Sequence, residues 1–250
     1  MTDFDNARRQ ASAAGFAYIP IRGEINADTV AQLRREMPAN GDLLIEIDST
    51  GGDVASAWQV FDLLEAHQQR GRVATWTTAR AESAGALLMY AASPGCALAH
   101  PNAQLVWHAI HIDGIPATLS ADTQRWAQLI AKRTGWAYEE ALRGISPDCI
   151  GVSGVVHDSR FTGAQAQRQG LVDQCDWNLT RALQSLPAFV PPAGATPAGR
   201  VARHALVPGA LIGIDPAVFG DASAHEKALT DQARLIELMR NGRGHEFTMP

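Results

Sequence analysis

Two residues in this sequence carry side chains that can do covalent chemistry where they stand. Ser83 sits where an apolar strand, Val73 to Thr77, has ended and an apolar helix begins, in the run Ala81-Glu82-Ser83-Ala84-Gly85-Ala86. His108 closes the next apolar strand, Leu105 to Trp107. A serine at a strand-to-helix junction is well placed as a nucleophile, because its Oγ projects from the top of the sheet. The free N–H groups of the first helical turn then face any oxyanion nearby. Small residues after it let a substrate carbonyl approach the backbone. Each residue also has an ordinary role. A serine before an apolar helix is commonly an N-cap, and a histidine at a strand end is commonly a satisfied structural group.

The elements that must position them follow from hydrophobic spacing. Residues 1–15 read as a polar lead-in, partly helical. Phe16 to Ile21 is β-rich and ends at Arg22-Gly23. Asn26 or Asp28 can cap a helix with Val30, Leu33 and Met37 on one face. Leu43 to Ile47 is an apolar strand broken by Asp48-Ser49-Thr50-Gly51-Gly52-Asp53, and a long helix with Val54, Ala57, Trp58, Phe61 and Leu64 on one face follows. Strand and helix keep alternating through Ala99, the pattern of an α/β fold with mainly parallel strands buried on both faces. Asp113 to Pro116 reads as a loop, Ser120 as a helix start, Trp136 to Leu142 as a short helix, Gly144 to Gly154 as a loop and Leu171-Val172 as a last strand-like pair. After about residue 186 the prolines Pro187, Pro191, Pro192, Pro197 and Pro208 give a linker composition. Ser223-Ala-His-Glu226 is a capping box for an amphipathic helix carrying Leu229, Leu235, Ile236 and Met239.

Composition bounds the function. A chain of 250 residues that is 46% hydrophobic can bury the core of one sizeable domain. The net charge is −5, the pI is near 5.9 and no basic stripe appears, which argues against nucleic acid as partner. Cys96, Cys149 and Cys175 are widely spaced with no CxxC pair, which fits a reducing compartment rather than a disulfide framework or zinc site. The acidic, polar start is not a signal peptide, and the longest apolar run, Ala84 to Ala92, is too short to cross a bilayer. The expectation is a soluble cytoplasmic protein with no membrane partner. His111 and His157 flank the candidate site without metal-ligand spacing, so neither a metal nor a cofactor is expected. Trp58, Trp126 and Trp136 read as core, and Glu139-Glu140 as a solvated face.

Four segments together resemble the proteolytic subunit of the ATP-dependent Clp protease and its phage-associated relatives. Ile47-Asp48-Ser49-Thr50-Gly51-Gly52 looks like that family's strand ending in Asn-Ser-Pro-Gly-Gly. Ala81 to Ala86 looks like its nucleophile motif Ala-Ala-Ser-Met-Gly-Ala. Pro101-Asn102-Ala103-Gln104-Leu105-Val106-Trp107-His108 looks like its Pro-Asn-Ser-Arg-Ile-Met-Ile-His motif, at a spacing from Ser83 that needs no gap. The fourth runs from Asp158 through Phe161-Thr162-Gly163 to Gly170-Leu171-Val172-Asp173. The resemblance covers roughly residues 16–176. It implies the ClpP/crotonase-like superhelix of repeated β-β-α units, here with a Pro/Ala/Gly-rich linker at 177–221 and an appended amphipathic helix and tail at 222–250.

The resemblance also implies the chemistry. Ser83 Oγ attacks a peptide carbonyl, His108 takes and returns the proton, and Asp158 holds the imidazole tautomer. The backbone N–H groups of Gly51 and Ala84 form the oxyanion hole, with Gly52 binding substrate. Counting without gaps from Thr134-Gly135 puts the aspartate at Asp148 instead, whereas counting back from Gly170-Leu171-Val172-Asp173 gives Asp158, which the Phe-Thr-x-x-x-Ala context favours. The product would be a serine endopeptidase acting on unfolded or accessible polypeptides inside a homo-oligomeric ring, with an AAA+ ATPase as a partner. The segment from His108 to Thr134 is shorter than the family's handle, which joins two rings. Thr50 stands for the usual proline and Glu82 for the usual small residue. A Ser–Lys dyad enzyme is disfavoured, since Lys132 and Lys227 are the only lysines and neither sits in a matching motif. A crotonase-superfamily acyl-CoA enzyme, or a catalytically idle ring or scaffold protein, would keep the fold without an aligned triad.

Overall fold

The structure is a computed structural model that describes residues 3–112, 115–116, 120–145 and 159–190. Helix α1 (Asp3–Ala13) leads into strand β1 (Ala17–Ile25), helix α2 (Ala27–Glu36), strand β2 (Leu43–Gly52) and helix α3 (Val54–His67). Then come β3 (Val73–Thr77), β4 (Arg80–Glu82), α4 (Ala84–Met89), β5 (Ala97–Ala99) and β6 (Gln104–Trp107). A hairpin of β7 (His111–Ile112) and β8 (Ile115–Pro116) follows, then α5 (Ala121–Thr134), α6 (Tyr138–Ile145), β9 (Ser159–Thr162), α7 (Gly163–Arg168), β10 (Gln174–Cys175) and α8 (Leu179–Gln184).

The helix starts follow capping chemistry. Asn26 Oδ1 accepts from the N–H groups of Asp28 and Thr29, and Thr29 Oγ1 accepts from the Asn26 N–H, a closed capping box. Asp53 caps α3 through the Ser56 N–H at 2.7 Å, and the Ser56 hydroxyl, followed by that N–H, holds its carboxyl below the usual range. Gly135, at φ +76°, closes α5 in the left-handed conformation that favours glycine.

The main sheet runs β10-β5-β3-β2-β4-β6-β9, with β1 also paired to β2. Every pairing in it is parallel except β6 with β9. Strand β2 belongs to both halves of the sheet. Leu43 to Glu46 pair with β3, whereas Ser49 pairs with Ala81 of β4. This division turns the sheet about β2 and makes the mixed α/β superhelix expected from the sequence. Leu43, Ile45, Ile47, Val73, Leu64 and Leu87 are fully buried in the core, so a Leu-to-Ala truncation there costs about 2–5 kcal/mol.

Several elements differ from the sequence reading. Strand β1 runs past Arg22-Gly23 to Ile25, because its register to β2 resumes after a shift between Arg22 and Glu24. Two residues of β2, Ser49 and Thr50, there face one residue of β1, a bulge. Strand β4 is too short and polar to show in the sequence, and forms because it is held between β2 and β6. The expected loop at 113–116 contributes Ile115 and Pro116 to the β7–β8 hairpin. The expected loop at 144–154 begins inside α6, which runs to Ile145. The last strand among the described residues is β10, not Leu171-Val172, whose side chains are instead buried in the core. The expected linker starts with α8, whose Leu179, Ala182 and Leu183 are buried. The helix expected within 222–250 lies outside the described residues. Trp58 and Trp126 are buried and Glu139 and Glu140 exposed, as the sequence reading holds. Cys96 is a core residue whose thiol burial pushes up to about 11.

Candidate active site

Ser83 is set by its backbone. It joins β4 to α4 with φ 54° and ψ −122°, and among the described residues it is the only non-glycine with a positive φ. That conformation resembles the first central position of a type II′ turn, where glycine is preferred. Its neighbours hold it there. The Ser83 N–H donates to Val106 O at 2.9 Å, and the Ser83 carbonyl accepts from the Leu87 N–H at 3.0 Å. Its side chain makes no capping bond to α4. The N-cap explanation therefore fails, and a half-buried hydroxyl is held in a strained pose without the structural role that would account for it.

The glycine pair lies beside it. Gly51 has φ +100°, and a Cβ there would lie 2.6 Å from Ser83 Cβ and 3.0 Å from Ser83 Oγ. Gly52 has φ +148°, and a Cβ there would run into the Ile25 backbone of β1. Ser49 fills the bulge. Its Oγ donates to Gly23 O at 2.6 Å and accepts the Gly51 N–H at 3.0 Å. The Gly51 N–H expected to receive an oxyanion is thus already engaged. Gly85 packs against Ser49, where a Cβ would meet Ser49 Cβ at 3.1 Å. Ser49, fully buried, is the residue of this loop whose role the sequence did not reveal.

Register places His108. Strands β4 and β6 pair Glu82 with Val106, so Ser83 and His108 leave neighbouring parallel strands at the same end of the sheet, staggered by one residue. Neighbouring strands lie about 4.8 Å apart. His108 is half-buried, and its Nδ1 lies 2.7 Å from Ala109 O. A carbonyl can only accept, so this bond assigns a proton to Nδ1 and leaves Nε2 as the basic nitrogen of the neutral ring. The exposed His111 ring packs edge-on against His108, with centroids 4.7 Å apart.

Strand β9 runs antiparallel to β6 and pairs Ser159 with Trp107. Asp158 and Asp148 themselves lie outside the described residues, as do His157 and Cys149. A small apolar cavity is lined by Trp107, Ile130, Trp136, Ile145, Phe161 and Leu171 and includes none of the candidate site residues. Among the described residues no cluster of three or more His, Cys, Asp or Glu could hold a metal ion, and no helix is long and apolar enough to cross a membrane.

Comparison with known proteins relates the chain to Clp proteases. Residues 15–176 match the family model described as Clp protease. The chain is 27% identical to the ATP-dependent Clp protease proteolytic subunit 2 of Corynebacterium efficiens, over 53% of this chain and 65% of that protein. It is 29% identical to the proteolytic subunit 1 of Rhodococcus jostii, over 58% of this chain and 66% of that protein. The matches thus span just under two thirds of each relative's length. A solved structure of a ClpP1 mutant from Listeria monocytogenes aligns with a TM-score of 0.57 at 21% identity, covering 70% of this chain and 98% of that one. That likeness is one of fold.

Proposed function

This chain belongs to the Clp protease family, and from that premise we propose that it is a serine endopeptidase with Ser83 as nucleophile, His108 as general base and Asp158 as third member. The observation that carries the reading is the pose of Ser83, strained, uncapped and pressed against a glycine that has no room for a side chain.

In this reading His108 Nε2 takes the proton of Ser83 Oγ as the oxygen attacks a peptide carbonyl. The same nitrogen then protonates the departing amine, and water repeats the sequence on the acyl-enzyme. The Ala84 N–H serves the oxyanion. The second donor is either the Gly51 N–H, released from Ser49, or the Gly52 N–H. The Asp53 N–H faces β1, bonded to Ile25 O at 2.8 Å. Strand alternation then turns the Gly52 N–H away from β1. Losing one such donor costs on the order of 10²–10³ in rate. Asp158 is favoured over Asp148 because it is one residue from Ser159, which β9 holds opposite the neighbour of His108. The relatives' names describe an ATP-dependent proteolytic subunit. Those names support a proteolytic subunit that depends on ATP, and the reading extends this to a homo-oligomeric ring in the cytoplasm, fed polypeptide by an AAA+ ATPase.

The test is fluorophosphonate labelling of the assembled protein, with particle images to show the ring. One adduct is expected, on Ser83, abolished in Ser83→Ala and strongly weakened in His108→Ala. A folded, assembled sample with no adduct would return the chain to the acyl-CoA enzyme or idle-scaffold reading.

A further inference from the structure

The peptide unit between Ala109 and Ile110 is gripped at both ends. Its carbonyl accepts from His108 Nδ1 at 2.7 Å, and its N–H donates to Thr123 Oγ1 at 3.0 Å. Thr123 is completely buried at the start of α5. Its Oγ1 also accepts from Ser120 Oγ at 3.0 Å, while Ser120 Oγ caps the Thr123 N–H at 3.2 Å. Helix α5 is in turn pinned to α3. Arg125 lies 3.9 Å over the Trp58 ring and bonds Asp62 at 2.9 Å.

We infer that Thr123 is a positioning residue for His108, acting through the Ala109–Ile110 peptide as a hydrogen-bonded relay. In a trans peptide the C=O and N–H point in opposite directions within one plane, so the imidazole and the threonine hydroxyl sit off opposite edges of one rigid unit. Donation from the Ile110 N–H to Thr123 polarises that peptide and makes the Ala109 carbonyl a better acceptor. The carbonyl then fixes both the rotation of the ring and the proton on Nδ1, leaving Nε2 free. Such a fixed tautomer is what a general base requires. The relay uses the single Nδ1 proton that a carboxylate would also accept, so Asp158 must either share that proton with the Ala109 carbonyl or take it over. Packing alone does not account for Thr123, since valine would fill the same space without the hydroxyl. The inference rests on His108 being the base of the proposed peptidase for its consequence, though not for its geometry.

Two readouts on the full-length assembled protein test it. With ¹⁵N-labelled histidine, His108 is assigned by its loss in His108→Gln. The wild type should show Nδ1 protonated and Nε2 bare, and Thr123→Val should move the ring toward mixed tautomers. In saturation labelling, Thr123→Val should lower the limiting rate of fluorophosphonate inactivation about tenfold, the worth of one hydrogen bond. The half-saturating concentration should stay near wild type, and the melting temperature should fall only by the few degrees that one buried N–H left without an acceptor costs. Thr123→Ser should restore both signals. An unchanged tautomer in Thr123→Val overturns the relay. So does a loss of rate, affinity and melting temperature together that serine fails to rescue, which would make Thr123 a packing residue. If the wild type gives no adduct but the tautomer responds as expected, the relay stands and the peptidase reading falls.

Discussion

Gly51 and Ser83 approach so closely that one excludes any side chain on the other: a Cβ on Gly51 would lie 2.6 Å from Ser83 Cβ. The approach and the positive φ of +100° are separate reasons for glycine there, and they can be separated by experiment. Gly51→Ala should lose about 1–3 kcal/mol of stability through its backbone and at least about 10² in the labelling rate of Ser83 through misplacement of the nucleophile. Gly41 is the control. It has φ +97° and nothing within 4 Å of a built Cβ, so Gly41→Ala should lose comparable stability in urea denaturation while labelling stays near wild type. Equal loss of labelling in both variants would reduce Gly51 to a turn residue.

Ser83 itself should display a trade of stability against activity. Ser83→Ala keeps the strained φ of 54°, so its urea midpoint should match the wild type while peptidase activity vanishes. Ser83→Gly relieves the strain and should be more stable than Ser83→Ala by up to about 1 kcal/mol, equally inactive. A glycine variant less stable than the alanine variant would show that the pose is not strained.

What the sequence revealed and what it hid divide along physical lines. The long apolar strands and the capped helices could be read because the burial that stabilises them is written into their spacing, as with Leu43 to Ile47 or Asn26 before α2. Ser83 and Gly51 could be singled out as residue types in short motifs. That they touch could not, because the contact depends on a bulge at Ser49 that no local pattern encodes. Strand β4 was hidden because Arg80, Ala81 and Glu82 have no strand preference and become a strand by pairing on both sides. Helix α8 was hidden by its prolyl surroundings, although Leu179, Ala182 and Leu183 bury one face. Thr123 looked like any polar residue in a first helical turn, and its partner, Ile110, lies 13 positions earlier.

The third member of the triad can be decided by paired substitution. Asp158→Asn should lower peptidase kcat by about 10⁴, as loss of the carboxylate does in other serine triads, with substrate KM little changed. Asp148→Asn should leave both within about twofold. The reverse pattern would move the carboxylate to Asp148 and show that the β9 register is a poor guide to what precedes it. Near-wild-type activity in both would mean that the Ala109 carbonyl alone suffices to orient His108.

The last expectation concerns acid stability and centres on His67, the last residue of α3 and fully buried. Its Nε2 bonds Gly41 O at 2.8 Å, so that nitrogen donates, while Nδ1 has no hydrogen-bond partner among the described residues. Burial holds its pKa below the usual 6.5, with the Arg70 charge adding to the effect and the Gly41 bond and Asp42 opposing it. A histidine with a depressed folded-state pKa gives stability that is present above the unfolded value of 6.5 and is lost as pH falls through the folded value. Glu46 slopes the other way. Burial raises its carboxyl above the ordinary range of 4.5, so its contribution grows as pH falls toward that value. The wild-type curve therefore mixes two opposed terms, and only a difference isolates the histidine. His67→Gln keeps an N–H donor for Gly41 and cannot titrate. Urea denaturation from pH 8 to pH 5 should show wild type losing stability relative to this variant below 6.5. Parallel curves would mean that the imidazole finds an acceptor for its second proton when charged, and that His67 sets no acid limit on the fold.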